Sequence, residues 1–92
     1  MMTEEAIYKR VVEVLVEKLE LEATEIRPES TLTDDLGASS LELIDMVMEF
    51  EKETGITIDP QKLYEIKTVQ DIARLLHQQQ TKTDSGSAAH QS

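Results

Sequence analysis

Apolar residues Ile7, Tyr8, Val11, Val12, Val14, Leu15 and Leu19 return at three- and four-residue steps, the spacing that lines one face of an α-helix. The period predicts a first helix over residues 3–19, with Thr3 placed to cap it. It then lapses. Residues 20–38 hold no sustained period, contain Pro28 and Gly37, and read as a long loop pinned by Leu21, Ile26, Leu32 and Leu36. A second helix is predicted from about Ser40 to Thr54, ending where Gly55 can take the left-handed conformation. Asp59-Pro60 supplies the cap and first residue of a short third helix bearing Leu63 and Ile66. Thr68-Val69-Gln70-Asp71 has the form of a capping box that opens a last helix, with Val69, Ile72, Ala73, Leu75 and Leu76 on its buried side. The expected fold is all-α, four helices with a long loop between the first two.

After about Gln78 the chain turns polar and nearly free of bulky apolar side chains, too little to offset the entropy of ordering it. One domain over residues 1–78 and a disordered tail over 79–92 are therefore expected. A chain of 92 residues whose only aromatics are Tyr8, Phe50 and Tyr64 has an aliphatic core and little room for a deep catalytic cleft. Nineteen acidic against nine basic residues give a formal charge of −10, which disfavours nucleic acid and anionic membranes and favours basic protein surfaces as partners. Neither an apolar run of membrane-spanning length nor a secretory signal pattern is present, so a cytoplasmic location is expected; a monomer is expected as well. With no cysteine, disulfides and thiolate metal sites are excluded, and any thioester chemistry needs a thiol from elsewhere.

Two apolar stripes run along the second helix. Leu43, Met46, Val47 and Phe50 follow the core spacing. Leu41, Ile44 and Met48 form a neighbouring stripe interleaved with Glu42, Asp45, Glu49 and Glu51, a face both apolar and acidic. From Asp34 to Glu53 there are seven carboxylates and one lysine, so the acidity is concentrated here. On an arbitrary helix such a face is ordinary solvation. Beside the turn that precedes it, it reads as a docking surface.

That turn, Gly37-Ala38-Ser39-Ser40, sets two serines at the start of the acidic helix, where unpaired backbone N–H groups and a positive partial charge suit a hydroxyl destined for a phosphate ester. Ser39 is followed three residues on by Glu42, the spacing of a capping box, so its hydroxyl is engaged by the backbone. Ser40 is then the first helical residue, free and outward. Taken alone, the pair would be an ordinary helix start.

Asp35-Leu36-Gly37-Ala38-Ser39-Ser40-Leu41-Glu42 resembles the signature of the acyl carrier protein family, Asp-Leu-Gly-Ala-Asp-Ser-Leu-Asp, and the similarity extends over about residues 4–78, including Gly55-Ile56-Thr57-Ile58 and Ile66-Lys67-Thr68-Val69-Gln70-Asp71. The resemblance implies an acyl-carrier-type four-helix bundle in which Ser40 receives 4′-phosphopantetheine from coenzyme A through a phosphopantetheinyl transferase. It also implies that acyl-transferring and acyl-modifying enzymes dock through basic patches onto Leu41, Glu42, Ile44, Asp45, Met48 and Glu51, and that the protein carries acyl thioesters in fatty-acid, lipid or polyketide-type synthesis without being an enzyme. Ser39, Lys52 and Thr54 depart from the family's usual acid, acid and large aromatic, which points to a specialised set of partners.

An aminoacyl or peptidyl carrier would use the same Ser40, and an unmodified acidic interaction module would use only the apolar trio. Calcium-loop, metalloenzyme and phosphate-loop motifs are absent from the sequence. His77, expected near the end of the last helix, and His90, in the tail, lack the base-and-orienter pattern that catalysis requires.

Overall fold

The computed structural model describes residues 2–89, with side chains through residue 80. Helix α1, Glu4–Leu19, begins at Thr3, whose hydroxyl accepts the Ala6 N–H at 3.1 Å. Its end was legible from the period, but not its cause: Glu20 takes the left-handed conformation with φ 56, a state a residue with a Cβ adopts uncommonly. Helix α2, Ser40–Thr54, ends at Gly55, whose φ of 75 supplies the left-handed cap expected of a glycine. The short third helix is a 3₁₀ helix, Pro60–Glu65, opened by Asp59 accepting the Gln61 N–H at 3.0 Å.

Helix α3, Val69–Ala89, opens with the anticipated box: the Thr68 hydroxyl accepts the Asp71 N–H at 3.1 Å and the Asp71 carboxylate accepts the Thr68 N–H at 3.0 Å. Burial tends to raise the pKa of Asp71, but this bond, those from the Lys67 N–H and the Thr68 hydroxyl, and nearby Arg74 hold the carboxyl below its usual range.

The long loop contains a 3₁₀ turn, Ala23–Glu25, and is tied to the start of α3 by backbone bonds: Leu32 N to Lys67 O at 2.9 Å, Val69 N to Ser30 O at 3.1 Å and Gln70 N to Pro28 O at 2.9 Å. Leu32, Ile26 and Leu36 are buried and Leu21 is half-buried, as expected of residues that pin it. Among the described residues only an isolated bridge, Thr31 with Thr68, has β character. Ile7, Val11, Val14 and Leu15 of α1 meet Met46, Val47 and Phe50 of α2 and Val69, Ile72, Ala73 and Leu76 of α3 in one core. Leu43, placed on the core stripe by spacing, is only half-buried.

Residue 78, the expected domain end, falls within α3. Helical backbone continues to Ala89, and Gln79 and Gln80 are buried. For Gln80 the reason is chemical rather than hydrophobic: its amide accepts the Met2 N–H at 2.8 Å and donates to the Met2 carbonyl at 2.7 Å, clasping the segment that leads into α1. His77 accordingly lies inside α3 instead of near its end, and His90 falls outside the described residues. Deleting residues 81–92 is expected to leave the melting temperature within about 2 °C, because that polar stretch offers little apolar surface to bury. Deletion from residue 79 should remove the clasp and lower it by roughly 4–8 °C, for a cost of about 1 kcal/mol. Equal thermal shifts for the two truncations would place the boundary elsewhere.

Candidate functional site

The site is built where the long loop enters α2. Thr31 and Asp35 hold each other, Thr31 N to Asp35 Oδ2 at 2.8 Å and Asp35 N to Thr31 Oγ1 at 2.9 Å, closing a turn that Gly37 completes at φ 74. Ala38, buried, fastens this turn to the core through its N–H to Leu32 O at 2.8 Å. The loop thereby delivers Ser39 and Ser40 to the head of α2 in a fixed order.

The two hydroxyls are not equivalent. Ser39 Oγ accepts the Glu42 N–H at 3.2 Å while Glu42 Oε1 accepts the Ser39 N–H at 2.8 Å, a complete capping box. Ser40 is the first helical residue and exposed, and its hydroxyl has no hydrogen bond among the described residues. A serine in this position can accept a large covalent substituent without breaking any bond in the fold.

Ser40 also stands at the mouth of a groove of about 320 Å³ between α2 and the Pro60–Glu65 helix, lined mainly by Leu43, Met46, Val47, Leu63, Ile66 and Ile72. Half-burial of Leu43 follows from its position on this groove. A second cavity, about 160 Å³, lies at the other end of α2 against Met2, Phe50, Thr54 and Leu76. Thr54 leaves this space open: its hydroxyl donates to the Phe50 carbonyl at 2.6 Å rather than filling the cavity with a ring.

Along the outer side of α2, Leu41 is 78% exposed, Ile44 43% and Met48 56%, so the second stripe faces water rather than core. Its carboxylates are less uniform than spacing suggests. Glu42 is engaged in the cap, and Glu51 is turned toward the following loop, accepting the Ile58 N–H at 2.8 Å. Asp45 remains open to solvent but pairs with Lys18 of α1 at 2.7 Å, and Glu49 meets the same ammonium at 3.1 Å. These carboxylates, Asp45 first, raise the Lys18 pKa.

Two residues escaped sequence reasoning. Tyr64, 89% exposed, stands beside Ile44 at the groove mouth, and its only signal was a rare aromatic next to Leu63. Lys18 lies 27 residues from Asp45, and no local pattern links them.

Residues 9–76 match the family model described as the phosphopantetheine attachment site. The chain is 41% identical over 75 residues to an acyl carrier protein of Petrotoga mobilis, covering 82% of this chain and 88% of the relative. The chain belongs to the acyl carrier protein family. An acyl carrier protein of Thermotoga maritima is 43% identical over 72 residues, 78% of this chain and 89% of that one. The solved acyl carrier protein from Enterococcus faecalis superposes with a TM-score of 0.72 at 26% identity, covering 85% of this chain and 99% of its own. The protein is thus an acyl carrier with a covalently attached 4′-phosphopantetheine, and it works with acyl-handling enzymes and a phosphopantetheinyl transferase. Acyl carrier proteins carry intermediates rather than catalyse. No helix among the described residues is long and apolar enough to cross a membrane.

Proposed function

We propose that Ser40 is the residue that bears the arm, and that the face formed by Leu41, Glu42, Ile44, Asp45 and Met48, with Glu51 at its edge, receives basic patches of partner enzymes. The observation that carries this is the division of labour at the helix start: Ser39 is held by Glu42, and Ser40 is exposed with a hydroxyl that makes no hydrogen bond among the described residues. On the transferase, the Ser40 hydroxyl attacks the pyrophosphate of coenzyme A, forming a phosphodiester, losing its proton and releasing the adenosine bisphosphate. The arm supplies a thiol that holds the acyl group as a thioester, which is why a chain without cysteine suffices.

The carrier itself does no bond chemistry in this reading. It acts as a cytoplasmic monomer, and fatty-acid or lipid synthesis is the setting that suits an aliphatic groove. The groove beside Ser40 receives the acyl chain. Each buried CH₂ contributes about 0.8 kcal/mol, against which stands the cost of parting α2 from the Pro60–Glu65 helix. A net gain of only about 1 kcal/mol raises the melting temperature of a domain this size by roughly 4–8 °C. Loading an eight- to fourteen-carbon chain is therefore expected to give at least such a rise and to shift the resonances of Met46, Leu63 and Ile66 most. Leu32, Phe50 and Ile58, deeper in the core, should follow as the chain lengthens.

Incubation with coenzyme A and a broad transferase, followed by intact mass and peptide mapping, tests the assignment. One added arm on the Ser40 peptide is expected. An arm mapped to Ser39 would overturn it, and an unmodified protein would leave the acidic module as the better reading. An acyl form with unchanged melting and spectra would put the cargo in solvent and favour a small or polar aminoacyl load.

A further inference from the structure

The proposed docking face contains a cation that does not come from a partner. Lys18 reaches from α1 to α2, its side chain 25% exposed, and contacts Asp45 Oδ2 at 2.7 Å and Glu49 Oε1 at 3.1 Å. Asp45 is the open acid of the face, its side chain 66% exposed, and it sits among Leu41, Ile44 and Met48. Glu49 is half as exposed, at 34%, and belongs to the seam between the helices. With its side chain only 25% exposed and its ammonium on two carboxylates, this cation is held at the seam and not a freely solvated one.

We propose that Lys18 is an internal competitor for partner cations at Asp45, lowering the attraction of the docking face and selecting among basic partners. The proposal rests on the reading of α2 as that face. With Lys18 on Oδ2, Asp45 still offers Oδ1, enough for a single bond from a partner lysine. A partner arginine that grips both carboxylate oxygens side by side must first displace Lys18. Glu49 makes the displacement inexpensive, because Lys18 can withdraw to it and keep one of its two ion pairs. The pair thus acts as a two-position latch on the one acid that the apolar trio surrounds.

Exposed ion pairs are weak, so the effect is a modulation and not a switch. Removing Lys18 should raise the association rate and kcat/KM with a basic partner by roughly 1.5- to 5-fold. Loss of one positive charge also strengthens long-range steering in general. Lys9, exposed on the same helix, gives the same charge change without touching α2.

The test is arm transfer by a phosphopantetheinyl transferase to the full chain, with Lys18→Met, Lys9→Met, Leu41→Ala and Met48→Ala compared at low and high salt. Lys18→Met is expected to lower KM more than Lys9→Met, with kcat unchanged and the difference lost at about 0.5 M salt, where the screening length is only a few ångströms. Equal effects of the two lysine variants would overturn the proposal, as would a higher KM for Lys18→Met, which would make Lys18 a partner contact. If Leu41→Ala and Met48→Ala leave KM unchanged, the docking reading itself falls and takes the proposal with it. Circular dichroism of each variant separates these outcomes from misfolding. A Lys18→Met protein that is not folded would show the lysine to be structural and would likewise end the proposal.

Discussion

Ser40→Ala is expected to abolish arm attachment, while Ser39→Ala should still accept one arm and lose about 1 kcal/mol of stability. The contrast follows from one helix start. Ser39 Oγ satisfies the Glu42 N–H, which alanine would leave to water, whereas the Ser40 hydroxyl contributes no bond to the fold among the described residues. Replacing Ser40 should therefore leave the melting temperature nearly unchanged. Replacing Ser39 should lower it by roughly 4–8 °C. Intact mass after transfer and a thermal melt of each variant check both halves. Attachment to the Ser40→Ala protein would refute the assignment, and a stable Ser39→Ala protein would show the cap to be dispensable.

The second large effect lies in the core. Phe50 is 2% exposed and is the largest fully buried side chain, so Phe50→Ala should cost about 3–5 kcal/mol. A domain of this size has only about 5–14 kcal/mol in total. A cavity of about 160 Å³ adjoins the ring and would merge with the space it leaves, enlarging the void. Phe50→Leu, which keeps most of the volume, should cost less than about 1.5 kcal/mol, and Tyr64→Ala, on an exposed ring, within about 0.5 kcal/mol of nothing. Urea midpoints order the three. A Phe50→Ala protein as stable as Tyr64→Ala would mean that the core rearranges freely around α2.

What was legible in the chain was local. The starts of the four expected helices could be read because each cap lies within three residues of its partner: Thr3 with Ala6, Ser39 with Glu42, Asp59 with Gln61, Thr68 with Asp71. The second stripe of α2 was legible for the same reason, since helical spacing alone sorts Leu41, Ile44 and Met48 from Met46, Val47 and Phe50.

Features that depend on distant residues were not legible. Gln80 looks like a polar tail residue until Met2, 78 positions away, occupies both ends of its amide. Asp45 and Glu49 look like free docking acids until Lys18 arrives from α1. Glu51 looks outward by spacing but serves the Ile58 N–H, because the chain after Gly55 doubles back along the helix. The end of α1 was read correctly from where the period stops, although Glu20 carries none of the glycine signal that usually accompanies a left-handed cap.

The Gln80 clasp also decides from which side this carrier can be tethered. Met2 borders the same cavity as Thr54 and Leu76, at the foot of α2, and the helix of 15 residues puts Ser40 about 20 Å away at its head. A domain grafted upstream of Met2 therefore leaves from the pole opposite Ser40. Its linker would hold partner and carrier at a high effective concentration without crossing the groove mouth or the exposed side of α2.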